Sequence, residues 1–214
     1  MTADRENNIL RSTLMFITAN ILILWIQQNF FMDPEQIRTF MEHQGMRPEG
    51  IGTALFLNEK ILLFNYILSP LLYILKAGLV TLFLQLIFLL LRQQHSFRLL
   101  FIPALSAEYA VVAKYFSRQL SIYFSPVQEL TVYSMHHIPL SIQTFLEAPD
   151  FPVYAWQLLG IPSLFSLAWL LILGISLKRR VNGKYSDMLL ISAGLWTVSY
   201  ILRWALLNIL EILK

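Results

Sequence analysis

"LLYILKAGLVTLFLQLIFLLL" occupies residues 71–91, and its single charged residue is Lys76. A helix on a soluble core keeps one polar face. This run is apolar all round. At about 1.5 Å per residue it is long enough to cross about 30 Å of hydrocarbon. It predicts a transmembrane helix and leaves one lysine in need of an explanation.

The whole chain agrees with that reading. Of its 214 residues, 57% are hydrophobic and 14% charged, and mean hydropathy is +0.59. A soluble domain carries about a quarter charged residues. The expected fold is an all-α integral membrane protein, a single polytopic membrane domain over residues 1–214. About five transmembrane helices are expected, over 9–31, 70–91, 98–117, 153–177 and 187–213, with interfacial helices in the loops. The first segment, 9–31, lacks a small-residue cleavage site after it and reads as an uncleaved span.

The connections carry their own signals. Asp33, Pro34 and Glu35 form a helix start, with Gly45 as a stop, so a short surface helix is expected there. Residues 51–69 are amphipathic and broken by Asn58, Glu59 and Lys60, which predicts a segment lying in the interface, with re-entry into the membrane as the alternative. Pro70 marks a start or kink, and Pro162 a kink in the fourth span. Residues 117–151 are rich in Tyr, Phe, Ile and Leu. The capping sequence "SPVQ" at 125–128 points to short helices resting on the membrane.

Five crossings put Arg5, Arg11, Arg92, Arg98, Lys178, Arg179, Arg180 and Lys184 on one side. The other side holds Arg38, Arg47, Lys60, Arg118 and Lys214. The excess on the first side predicts a cytoplasmic N-terminus and an outside C-terminus.

Counting rise along each helix, Lys76, Lys114 and Arg203 fall near one level, roughly 24 Å from the cytoplasmic end, and Glu108 lies deeper, at roughly 15 Å. Lysine near a helix end often snorkels to the headgroups. Glu108 does so less easily and is expected to be protonated, hydrogen-bonded, or paired with Lys76 or Arg203. The functional alternative gathers Lys76, Glu108, Lys114 and Arg203 around a basic outer-leaflet pocket for a lipid phosphate or a peptide carboxylate. Around Glu108 lie Ala104, Ser106, Ala107, Ala110 and Ala113, which permit close helix approach and place this span at the bundle centre. Trp25, Tyr154 and Trp156 suit an interface, whereas Trp169, Trp196 and Trp204 are expected to pack more deeply.

Chemical motifs are scarce. With no cysteine, disulfides and thiolate chemistry are excluded. His136 and His137 are adjacent, so on a helix they diverge by about 100° and do not form a metal pair. They read as surface residues. There is no metal motif, no nucleophile elbow and no phosphate-cradling glycine loop. Neither cofactor nor nucleic acid is implied, because the basic residues are scattered.

Two stretches resemble the bacterial branch of the Yip family, small five-span membrane proteins. The first runs from "LFNYILSPLLYILKAGLVTLFLQLIFLLL" through a short polar turn to "HSFRLLFIPALSAEYAVVAKYF". The second is "FPVYAWQLLGIPSLFSLAWLLILGISLKRRVNGKYSDMLLISAGLW". Ser96-Phe97 and the small residues 104–110 carry the first likeness, and together the two cover about residues 60–205. The resemblance implies a bacterial inner-membrane location and supplies no site residues. The leading functional expectation is a non-enzymatic partner or assembly subunit, in contact with lipid and associated with another membrane protein or with itself. A small transporter or lipid-handling component is the alternative. An intramembrane enzyme with Glu108 as acid or base is a third.

Overall fold

The computed structural model describes residues 2–30, 38–39, 41–42, 45, 47–125, 133, 136–181 and 183–212. The short helix expected at 33–45 and the cap at 125–128 lie largely outside them. The described residues form α1 (Thr2–Phe30), α2 (Pro48–Leu90), α3 (Phe97–Phe124), α4 (Val153–Leu159), α5 (Leu164–Lys178) and α6 (Tyr185–Ile212). Four helical stretches are long and apolar enough to cross a membrane: Ile9–Asn29, Phe64–Leu90, Phe97–Phe124 and Tyr185–Leu206. Leu164–Lys178 is a shorter apolar helix. The continuous fourth span expected at 153–177 is therefore replaced by two helices, α4 and α5.

Neighbouring contacts give the direction of each helix. Ser69 and Tyr66 on α2 meet Asn20 and Gln28 on α1, so these two run antiparallel. On α5, Trp169 meets Glu108 and Gly160 just before it meets Lys114, which sets α5 antiparallel to α3. The α2–α3 turn and the α5–α6 turn thus share one end of the bundle, with Arg92, Arg98, Arg179 and Arg180 on or beside them. The first turn is closed by Arg92, whose φ of 58° takes the left-handed position usually filled by glycine. Its N–H bonds Leu89 O, and the Gln93 N–H bonds Phe88 O. This paired reverse bonding satisfies the last carbonyls of α2.

α3 holds the centre. Half of its apolar window, 50%, is buried, against 11% for α1 and α6. Ala104, Ala107 and Ala110 are buried, and α3 packs on α1, α2 and α5. Small side chains bring the backbones together where dispersion drives association. The outward faces carry Leu14, Leu22, Leu75, Leu79, Leu82 and Leu86, all exposed. Lipid can cover such a surface at no cost.

Two expectations about the connections are corrected. Residues 51–69 do not form a separate interfacial segment: α2 runs unbroken through Pro70. α1 lies against that turn through the Asn20–Ser69 and Gln28–Tyr66 contacts, the kind of neighbouring support under which proline persists in membrane helices. The helix from 97 also continues to Phe124 rather than ending near 117. Beyond it, the described part of the loop forms 3-10 turns at Ile142–Phe145 and Ala148–Asp150 and folds inward.

That inward fold serves the break between α4 and α5. Pro162 has no N–H to carry the ladder forward, and here, unlike at Pro70, the backbone leaves the helix between Leu159 and Leu164. Three carbonyls of the break find donors. Lys114 Nζ bonds Gly160 O at 2.9 Å, Ser166 Oγ bonds Ile161 O, and the Ile142 N–H bonds Pro162 O at 3.3 Å. Ser163 then caps α5, its Oγ accepting from the Ser166 N–H. Irregular backbone at this depth persists only when buried in protein and satisfied in this way.

Gln143 is the keystone of the loop. It is 1% exposed. Its Oε1 accepts from the Ile138 N–H at 2.7 Å, and its Nε2 donates to Trp156 O at 2.5 Å and His136 O at 3.3 Å. Gln143→Leu keeps the bulk and strands those backbone groups. An unmade buried hydrogen bond costs about 1–3 kcal/mol, so a loss of at least about 2 kcal/mol is expected. The melting temperature in mild detergent reads it; an unchanged value would show that the loop does not hold the break together.

Candidate functional site

Glu108 is completely buried at 0% exposure, on the face of α3 that meets α2 and α5. Lys76 Nζ lies 2.7 Å from its Oε2, and Trp169 Nε1 donates to its Oε1 at 3.1 Å. The Lys76 ammonium also sits 5.9 Å from the centre of the Trp169 ring. One carboxylate therefore clasps three helices. The Lys76–Glu108 pairing follows from the short α2–α3 turn: counted from it, the two residues differ in height by about 5 Å, a gap that a lysine side chain bridges. Trp169 was read from sequence as packing alone. The signal for its second role is the indole N–H, which needs an acceptor when buried.

Beside the clasp is a cavity of about 130 Å³. Lys76, Lys114 and Arg203 all stand on its wall, from α2, α3 and α6. Tyr115, Tyr200, Ser166 and Ser199 bring hydroxyls, while Phe165, Trp169 and Trp196 make it aromatic. Glu108 is not on this wall; it acts on the cavity through Lys76, whose side chain is 45% exposed. Lys114 does not snorkel. Its ammonium turns to the Gly160 carbonyl exposed by the helix break. No carboxylate stands among the described lining residues.

A second cavity, of about 310 Å³, adjoins the first and shares Lys114, Tyr115, Ile161 and Arg203 with it; Arg118, His136 and Gln157 are added. Sequence reasoning placed the two histidines on the surface, and both are half-buried. His137 stacks on Trp156 at 6.3 Å. Burial pushes both imidazoles below their usual value, and for His136 the Arg118 charge pushes in the same direction. Both shifts favour the neutral imidazole. Trp156 is buried against the protein, with its N–H on Tyr133 O, whereas Trp204, expected to pack, is 52% exposed. Among the described residues no group of three or more His, Asp or Glu side chains is placed to hold a metal.

No family model, curated protein or solved structure matches the chain. The chemistry of the site therefore has to be read from its own residues. It offers positive charge and hydroxyl donors in an apolar, aromatic setting, beside the N-terminus of α5, whose helix dipole adds positive potential.

Proposed function

We propose that the chain crosses the membrane five times and holds the anionic group of a membrane ligand in this basic pocket. The observation that carries the reading is the cavity on which Lys114 and Arg203 stand with no described carboxylate. The fifth crossing is the α4–α5 pair. α5 alone is about 22 Å long, and α4 with the break supplies the remainder. Discontinuous helices with a helix N-terminus facing the ligand are a recurring way to build anion sites in membranes. The excess of basic turns at one end puts that end in the cytoplasm and the pocket toward the outer leaflet. Membership of the bacterial Yip family is likewise a proposal, carried by the turns and spans quoted above.

A partner subunit is the second reading. The observation favouring it is the start of α2, which lies before the apolar stretch Phe64–Leu90 and exposes Phe56, Leu57 and Ile61. Glu108 as an acid or base has no such support, because both of its oxygens are already bonded inside the bundle.

Arg203→Gln tests the pocket directly, since Arg203 is exposed on the cavity wall. Retention of anionic lipid in native mass spectrometry is expected to fall about tenfold, the loss of one charge-assisted contact, with little change in melting temperature. Unchanged retention, or a loss of stability alone, would remove the pocket reading.

A further inference from the structure

The cavities are ordered along the bundle. On α3 the series Val111, Lys114, Arg118 runs outward, on α6 Trp196, Tyr200, Arg203, and from α5 through the break to α4 Trp169, Phe165, Ile161, Gln157. The two chambers share Lys114 and Arg203. The inner one adds Lys76 and the aromatic rings of Phe165, Trp169 and Trp196, and the outer one adds Arg118, His136 and Gln157. Arg118 has a buried Nε with no hydrogen-bond partner among the described residues, and an orphaned buried donor is costly unless something accepts from it.

Among the described residues lining the cavities the charges do not balance. Glu108 neutralises Lys76. Lys114, Arg118 and Arg203 surround the outer chamber with no carboxylate among its described lining residues. His136 adds a hydrogen-bonding imidazole to the same wall. Three cations exceed what a single carboxylate or a zwitterionic headgroup can neutralise, and they suit a dianion. The guanidinium fork of arginine matches phosphate oxygens in particular.

We propose, building on the anion-site reading above, that the two chambers bind one amphiphile: a lipid with a phosphomonoester headgroup. Its phosphate sits in the outer chamber among Lys114, Arg118 and Arg203. The start of its apolar chain enters the inner chamber against Val111, Phe165 and Trp196. The remainder leaves between α2 and α6 into the bilayer. This orientation keeps the headgroup toward the membrane surface and the chain toward its middle.

The test uses the full chain in nanodiscs of zwitterionic lipid, read by native mass spectrometry. The probes are a phosphomonoester lipid, a zwitterionic phosphodiester lipid with the same chains, a fatty acid and inorganic phosphate. The expected result is that the wild type prefers the phosphomonoester lipid about tenfold or more over the other two lipids. Arg118→Gln removes that preference, Arg118→Lys keeps part of it, and inorganic phosphate does not compete at matched concentration. If Arg118→Gln folds and retains the preference, the headgroup assignment is overturned; if it does not fold, an undiminished preference in Arg118→Lys, or equal binding of the zwitterionic lipid by the wild type, overturns it. Competition by inorganic phosphate overturns the two-chamber amphiphile. Should Arg203→Gln lose anionic lipid while Arg118→Gln does not, the inner anion site stands and this inference alone fails. Loss in neither variant removes both.

Discussion

Lys76→Met is expected to lower stability by about 2–4 kcal/mol, below the cost of breaking a fully buried ion pair because the Lys76 side chain is 45% exposed while Glu108 stays buried. Glu108 is left at 0% exposure with the Trp169 N–H as its remaining donor. The carboxyl group then lacks the Lys76 partner it has in the native bundle, which is unfavourable at a fully buried position. For a chain of this length each kcal/mol moves the melting temperature by about 2–4 °C, so a drop of order 10 °C is expected in mild detergent. Glu108→Gln should cost less, because the amide still accepts from Trp169 and leaves Lys76 near its exposed cavity mouth. In Lys76→Met/Glu108→Leu the loss should be smaller than the sum of the single losses, with a coupling of about 1–3 kcal/mol. A Lys76→Met protein that melts with the wild type would mean that the clasp does not hold these helices.

Gly174→Leu should separate α5 from α6. A Cβ at Gly174 would stand 2.7 Å from Leu189 Cδ2 and 3.4 Å from Leu189 Cα. The methyl end of Leu189 can swing aside, so Gly174→Ala is expected to cost little. A leucine needs the space filled by the Leu189 backbone, which cannot yield without moving α6. Overpacking of this kind costs about 1–3 kcal/mol and sometimes more. The displaced helix also carries Arg203, so lipid retention should fall together with the melting temperature. Gly174→Leu retaining both would show that the α5–α6 contact is looser than its geometry implies.

Much of the bundle was legible in the sequence. The run at 71–91 announces a membrane helix because so long an all-round apolar surface is unfavourable in water and is accommodated by hydrocarbon. Ala104, Ala107 and Ala110 mark the central helix because small side chains bring backbones close. The common level of Lys76, Lys114 and Arg203 follows from residue counts, and all three stand on one cavity wall. The break between α4 and α5 was visible only as a proline. A kink and a full interruption differ by which groups satisfy the freed carbonyls, and those donors come from Lys114 and Ile142, distant in sequence.

The membrane class, the apolar segments and the need of Glu108 for a partner are properties of residue type and spacing, and the sequence carries them unaided. Which partner Glu108 takes, how α5 is released from α4 and where Arg118 is buried depend on contacts between helices. Those contacts are set by side-chain packing in three dimensions, where a few ångströms decide between Lys76 and Arg203, and residue counting along single helices does not resolve such distances.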